Sequence, residues 1–196
     1  MNYKMIFYVL ARMLKLLTGL LIIPMLVSLM YNESSKTTVS FLVAIIISLA
    51  LYSIIDAFTE ENREQDFYKR EGFVIVTLTW IVFSLIGALP FYLSGEIPSY
   101  IDSLFETVSG FTTTGSTILQ DIESLSKSLL FWRSFTHLIG GMGVLVFALA
   151  IMDNAKNSHL EVMKAEVPGP VFGKVVSKLK NTAQILYILY LAMFAL

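Results

Sequence analysis

The chain contains no cysteine. Disulfide bonds, thiolate metal sites and cysteine nucleophiles are therefore excluded from its 196 residues. Charged residues are also scarce, at 15% of the chain, and its two histidines have no second histidine or carboxylate at the spacing of metal ligands. The sequence gives no support for a resident metal centre or for an enzyme built on one.

Hydrophobic residues, by contrast, make up 56% of the chain, which lies outside the range of soluble domains. Four apolar runs approach the roughly 20 residues that a helix needs to cross a hydrocarbon core of about 30 Å. These runs are 16–31, 39–55, 72–93 and 134–152. The first run contains Pro24 and is followed directly by another, so it is not a cleavable signal. The sequence predicts an all-α polytopic membrane protein.

Lysine and arginine are distributed unevenly along these runs. If the N-terminus is cytoplasmic, eleven basic residues fall on the inner side and three on the outer side. Because cytoplasmic segments of membrane proteins are enriched in Lys and Arg, this asymmetry predicts an N-terminus inside. The outer three are Lys36, Lys127 and Arg133, and the inner set is Lys4, Arg12, Lys15, Arg63, Lys69, Arg70, Lys156, Lys164, Lys174, Lys178 and Lys180.

A short apolar segment precedes an unusual polar one. Residues 100–109 carry apolar side chains at helical spacing, but about ten residues cannot span a bilayer. They are followed by Ser109-Gly110-Phe111-Thr112-Thr113-Thr114-Gly115-Ser116-Thr117 and then by another long apolar run. Irregular backbone is tolerated at membrane depth only where protein encloses it or it lines water. The order predicts a re-entrant loop, with free carbonyls at the C-terminus of the short helix directed at a cation.

Hydroxyls, glycine and closely spaced carbonyls in this segment are what a dehydrated cation requires, so we interpret it as an ion-selectivity filter. Outer loops carry acidic side chains that raise the local cation concentration at an entrance, although Glu33 and Glu123 are better explained as ordinary solvated acids. These acids are Glu33, Glu96, Asp102, Glu106, Asp121 and Glu123. For Glu106 we favour hydrogen bonds to buried backbone N–H groups behind the filter.

The run that follows the filter has distinctive residues at both ends. Trp132 and Arg133 are predicted to lie at the outer membrane interface. The glycines of Gly140-Gly141-Met142-Gly143 are predicted to allow close approach of another backbone, with a gating hinge as the alternative. His137 is expected to be a packing residue and His159 to be exposed.

Four motifs in this order resemble the TrkH-type potassium uptake family, in the superfamily that includes the Ktr and HKT transporters. They are Leu104-Phe105-Glu106 before the filter segment, Phe131-Trp132-Arg133, Ile139-Gly140-Gly141-Met142-Gly143, and Glu166-Val167-Pro168-Gly169-Pro170 followed by Thr182-Ala183. The resemblance implies four helix–pore loop–helix repeats around a pseudo-fourfold pore, preceded by a helical hairpin. Residues 1–71 would be the hairpin and a cytoplasmic linker, 72–152 the first repeat, 153–182 a cytoplasmic connection, and 183–196 the start of a second repeat that continues in a longer chain.

The resemblance also implies a function. K⁺ would be bound by Thr112, Thr113, Thr114 and Gly115, with Gly115 as the filter glycine and with Glu106, Gly110 and Ser116 as filter support. The transported K⁺ is the only ion implied, no covalent cofactor is implied, and no enzyme activity is expected. The implied partners are a cytoplasmic TrkA-type nucleotide-binding regulatory subunit, a second full-length subunit in a homodimer, and the bilayer of a bacterial inner membrane. Nucleic acid is not an expected partner.

Three alternatives remain open at this point. A homotetrameric potassium channel would use four copies of one loop, although two spans before the pore unit and an apolar run after it argue against this. A non-conducting membrane assembly protein is a second alternative. An intramembrane enzyme is a third, but it would require a nucleophile with a positioned base, or a metal pair, and neither is visible.

Overall fold

A computed structural model describes residues 3–59 and 69–141, together with the single positions 143, 188 and 192. Its elements in chain order are α1 (Tyr3–Met30), α2 (Ser35–Ala57), α3 (Lys69–Gly87), α4 (Leu89–Ser94), α5 (Tyr100–Phe111) and α6 (Lys127–Gly141). Among these residues, Tyr3–Met30, Ser35–Ala57 and Glu71–Ser94 are long and apolar enough to cross a membrane. The all-helical membrane fold and three of the four predicted spans are confirmed. The remainder of the fourth span lies outside the described residues.

Helices α1 and α2 form a hairpin with polar contacts inside it. The Thr18 hydroxyl donates to Ser48 Oγ at 2.9 Å, and Ser48 Oγ donates to the Leu14 carbonyl at 3.1 Å. Nearer the turn, the hydroxyls of Ser28 and Thr38 are 2.8 Å apart. Small hydroxyl residues allow two membrane helices to approach closely and satisfy each other's polar atoms. These contacts join the two helices along their length.

Helix α1 begins at Tyr3, well before the apolar run predicted for it. The additional turns are helical because Met5, Ile6, Val9 and Met13 recur at helical spacing and are buried. At about 1.5 Å per residue, the 28 residues of α1 extend roughly 42 Å, which exceeds a hydrocarbon core of about 30 Å. The first turns of α1 therefore have room to extend beyond that core.

The third span is interrupted between α3 and α4. Pro90 lies at the start of α4 and has no backbone N–H, so it cannot donate to the Ile86 carbonyl one turn earlier. The adjacent Gly87 carbonyl accepts instead from the indole Nε1 of Trp132 in α6, at 2.9 Å. Gly95 then ends α4 in the left-handed conformation, with φ of 84°.

The short helix predicted before the polar segment is α5. It begins after Ser99, whose side chain accepts from Asp102 N at 3.4 Å, and ends at Phe111, two residues later than predicted. Residues 112–126 contain no helix and lead directly into α6. The predictions for Met142, for residues 144–182 and for the start of a second repeat lie outside the described residues.

Candidate ion-selectivity segment

The C-terminal end of α5 is anchored by aromatic side chains. Phe111, the last residue of the helix, is 1% exposed. Its ring centroid lies 5.6 Å from that of Trp80, 6.0 Å from Phe83 and 6.4 Å from Trp132. Edge-on and tilted contacts at these distances are favourable beyond the area they bury. The residue directly before the threonine run is therefore held firmly in the core.

Trp132 is part of this core, and its predicted depth at the outer membrane interface stays a prediction. It is fully buried, and its indole N–H donates to the Gly87 carbonyl exposed by the break between α3 and α4. A buried indole needs a hydrogen-bond acceptor, and the helix break provides one. Sequence reasoning missed this contact because the acceptor belongs to a helix 45 residues away.

The backbone N–H groups that follow α5 donate to the carbonyls of its last turn. Backbone bonds join Thr112 N to Val108 O at 2.9 Å, Thr113 N to Gly110 O at 3.0 Å and Thr114 N to Ser109 O at 3.0 Å. The last two bonds form a Schellman motif, with Thr113 in the left-handed position at φ of 56°. The expectation of free carbonyls at the helix terminus is wrong for these three, because each already accepts a backbone N–H.

Unengaged carbonyls occur one turn further on. Within the part of the chain that the structure describes, no hydrogen bond engages the carbonyls of Thr113, Thr114 or Gly115. The Thr112 carbonyl differs, since it accepts from Thr113 Oγ1 at 2.7 Å. Ser116 is also tied, because its carbonyl accepts from the buried Ser109 hydroxyl at 2.6 Å. Three consecutive acceptors therefore remain available in an exposed segment whose two ends are fastened.

Gly115 adopts φ of 73°, a conformation that residues with a Cβ rarely adopt. A Cβ atom at this position would meet no described atom within 4 Å. Glycine is thus required by the backbone conformation and not by crowding within this part of the chain. The Thr112 and Thr114 hydroxyls flank the segment and are 2.8 Å from each other.

Glu106 connects α5 to the chain leaving the segment. It is 1% exposed, and its Oε1 accepts from Ile118 N at 2.8 Å and from the Thr117 hydroxyl. Its Oε2 accepts from Arg133 Nε of α6 at 3.1 Å. The predicted hydrogen bond to a buried backbone N–H is present. Arg133 is half-buried beside Glu106, and its predicted place at the outer membrane interface stays a prediction.

Helix α6 packs against α5 with almost no space between them. A Cβ atom on Gly110 would lie 2.1 Å from Thr136 Oγ1, and one on Gly140 would lie 2.2 Å from the Phe111 carbonyl oxygen. The predicted close approach of a backbone is confirmed for Gly140. His137 contacts the Arg133 carbonyl through Nδ1 at 2.8 Å, in keeping with a packing role.

Glu33 and Glu96, two further outer acids, accept hydrogen bonds at the start of α6. Glu33 accepts from Ser128 N at 3.0 Å and from the Ser128 hydroxyl. Glu96 accepts from Ser126 N at 2.8 Å. The expectation that Glu33 is an ordinary solvated acid was wrong, since a loop and a helix terminus distant in sequence meet there.

These elements define a multi-pass helical membrane protein with a short, buried helix that leads into a fastened polar segment. A family model described as "TrkH: Cation transport protein" matches residues 35–196, and the chain belongs to this family. It is 35% identical over 195 residues to the Trk system potassium uptake protein TrkH of Escherichia coli, covering 97% of this chain and 39% of that protein. It is also 35% identical over 172 residues to TrkG of the same organism, covering 85% of this chain and 34% of that protein.

A solved structure agrees with the fold. The crystal structure of the potassium transporter TrkH from Vibrio parahaemolyticus matches with a TM-score of 0.73 and 30% identity, covering 98% of this chain and 37% of that one. The chain spans about two fifths of the length of the relatives it matches.

Proposed function

We propose that this chain contributes one filter segment to the pore of a Trk-type potassium transporter. The proposal is supported by its family membership and by relatives whose names describe potassium uptake. The observation that carries it is the set of three unengaged, consecutive carbonyls at Thr113, Thr114 and Gly115. Carbonyl oxygens replace the hydration shell of K⁺. Because the backbone is held at both ends of the segment, these oxygens are in position before the ion binds. K⁺ would move down its electrochemical gradient, with no covalent chemistry.

In the proposed pore, residues 72–152 form one of four helix–pore loop–helix repeats and residues 1–71 form the preceding hairpin and linker. Residues 153–182 connect to a second repeat beginning at 183–196. Thr112 contributes through its hydroxyl, because its carbonyl is engaged by Thr113. Glu106, Gly110 and Ser116 act as supports that hold the backbone and do not contact the ion.

We further propose the setting in which this pore works. The N-terminus would be cytoplasmic in a bacterial inner membrane, as the distribution of basic residues favours. A cytoplasmic nucleotide-binding subunit of TrkA type would regulate transport, and two complete subunits would form a homodimer. The "Trk system" names of the relatives support a membrane subunit that works with other components.

Gly115→Ser in the full-length protein tests the filter assignment. Serine at a positive φ costs about 1 kcal/mol, so the backbone shifts and the carbonyls move, while the new hydroxyl offers Na⁺ a ligand. We expect the preference for K⁺ over Na⁺ to fall about tenfold, measured by competition uptake at matched membrane expression. Thr114→Ser should have a much smaller effect, because it retains both the hydroxyl and the backbone path.

Gly95→Ser is the matched control. Gly95 has φ of 84° and, like Gly115, open space where a Cβ would lie, but it is in the turn after α4. Both substitutions place a side chain at a positive φ, and only the one at Gly115 should change ion preference. A wild-type K⁺/Na⁺ preference in the Gly115 variant would contradict the assignment.

A further inference from the structure

The first turn of α6 is capped by a distant part of the chain. Ser126 is the N-cap by position, because its carbonyl accepts from Leu130 N at 2.9 Å. An N-cap serine normally accepts the N–H of the second or third helical residue through its own hydroxyl. Here the Ser126 hydroxyl is buried and has no hydrogen-bond partner among the described residues. The N–H of Ser128 instead donates to Glu33, 95 residues earlier in the loop between α1 and α2.

Glu33 holds the start of α6 through hydrogen bonds, which are directional contacts. It binds both the backbone N–H and the hydroxyl of Ser128, which is fully buried. A carboxylate also complements the positive end of the helix dipole. Helix α1 makes further contacts with α6, but burial of apolar surface is not directional. Among the described residues, these two hydrogen bonds are the directional contacts between the hairpin and α6.

The axial position of α6 determines its fit against α5. Residues four apart lie on one helix face, and the series that starts at Ser128 continues through Trp132, Thr136 and Gly140. Trp132 binds the Gly87 carbonyl, while Thr136 and Gly140 lie against the last turn of α5. A displacement of one residue, about 1.5 Å with a rotation of about 100°, would replace Trp132 at the Gly87 carbonyl by Phe131 or Arg133, and in one direction it would bring Ile139 onto the Phe111 carbonyl. The contacts of Trp132, Thr136 and Gly140 are therefore made together at one axial position of α6.

We propose that Glu33 is a positioning residue through which the α1–α2 hairpin sets the register of α6 and, through α6, the geometry of the filter. The link continues from α6 through Arg133 to Glu106, and from Glu106 to Thr117 and Ile118 just after the filter. This inference rests on the proposed function, since it assumes that Thr113–Gly115 select the ion. It assigns the hairpin a role in ion selection in addition to its role as a membrane span.

The test separates a link between elements from a simple helix cap. In the full-length protein, Glu33→Ala removes the cap on α6 and also the link between α6 and the hairpin. Adding Ser126→Asp supplies a local cap without restoring the link to the hairpin. Glu33→Gln retains one acceptor and serves if the alanine variant does not fold. Glu123→Ala is the matched control, because it removes an outer acid whose carboxylate has no hydrogen bond among the described residues. The readouts are the midpoint of thermal unfolding and the K⁺/Na⁺ preference in competition uptake.

We expect Glu33→Ala to lower the unfolding midpoint and to reduce K⁺/Na⁺ preference about fivefold, the scale of losing a charge-assisted hydrogen bond. The Glu33→Ala/Ser126→Asp variant should regain the unfolding midpoint but not the ion preference, and Glu33→Gln should fall between wild type and alanine. Glu123→Ala should change neither. Recovery of both properties by Ser126→Asp would overturn the proposal, as would an unaltered ion preference in Glu33→Ala.

Hydrogen exchange keeps this inference distinguishable from the proposed function. If the wild-type protein does not transport K⁺, the proposed function fails. The inference is then decided by amide exchange at residues 110–117. Faster exchange there in Glu33→Ala, not reversed by Ser126→Asp, supports a link from the hairpin to the segment. Unchanged exchange in that segment overturns it.

Discussion

Glu106 is the residue at which α5, α6 and the chain after the proposed filter segment meet. Glu106→Gln keeps the shape and one acceptor for Ile118 N but leaves the half-buried Arg133 without its counter-charge. Because breaking a buried pair from one side leaves an uncompensated charge, we expect the free energy of unfolding to fall by about 2 to 4 kcal/mol. Thermal or denaturant unfolding of the full-length protein in detergent measures this change.

Asp102→Asn is the control for this prediction. Asp102 lies one turn earlier on α5 and is partly exposed in its first turn, so the same change of carboxylate to amide loses only a dipole interaction of about 0.3 to 1 kcal/mol there. An equal loss of stability in the two variants would show that the pair with Arg133 is not what stabilises this region.

At the scale of elements, the contact between α5 and α6 depends on the absence of a side chain at Gly140. A methyl group there would lie 2.2 Å from the Phe111 carbonyl oxygen, so one helix must move. We expect Gly140→Ala to cost about 1 to 3 kcal/mol. Gly19→Ala in the middle of α1 meets no atom of the described residues within 4 Å and should stabilise by up to about 1 kcal/mol. We expect Gly140→Ala to lower the midpoint of thermal unfolding and Gly19→Ala to raise it. Shifts of the same sign in the two variants would contradict this packing.

At the scale of the whole molecule, three hydrogen bonds bring the α1–α2 loop, the α4–α5 loop and the start of α6 to one end of the bundle. We expect single cysteines at Asn32, Gly95 and Lys127 to react with an impermeant thiol reagent from the same, outer side. A cysteine at Lys164 should react only from the cytoplasmic side, as the basic residues predict. The chain has no native cysteine, so labelling is unambiguous. Labelling of Asn32 and Lys127 from opposite sides would contradict the structure.

The 196-residue chain expressed by itself should not support K⁺ uptake. In the proposed pore it provides one filter segment of four, which leaves the remaining coordination positions empty and polar backbone without protein around it. Complementation of a K⁺-uptake-deficient strain tests this, with the full-length protein as the positive control. Growth at low K⁺ with the short chain alone would favour the homotetrameric alternative.

Local pattern was sufficient for much of the fold and for the location of the candidate site. Apolar run length identified three membrane spans, because a hydrocarbon core imposes a minimum helix length. Helical spacing over ten residues identified α5, and the Thr-rich segment after it contains the three unengaged carbonyls. The helical extension to Tyr3 was missed, because the charges in the first turns interrupt the apolar run while the buried face continues.

Only tertiary structure decided how polar groups are paired. Whether Glu33 is solvated or caps α6 depends on a partner 95 residues away, and which acceptor the buried Trp132 indole takes depends on a carbonyl 45 residues earlier. Which carbonyls remain unengaged after α5 depends on how its last turn closes, with Thr113 in the left-handed conformation. Hydrophobic periodicity depends on residues that are close together in the chain, so the sequence alone determines it. Hydrogen-bond satisfaction is a property of the folded chain, because each buried donor takes the acceptor that packing brings within reach.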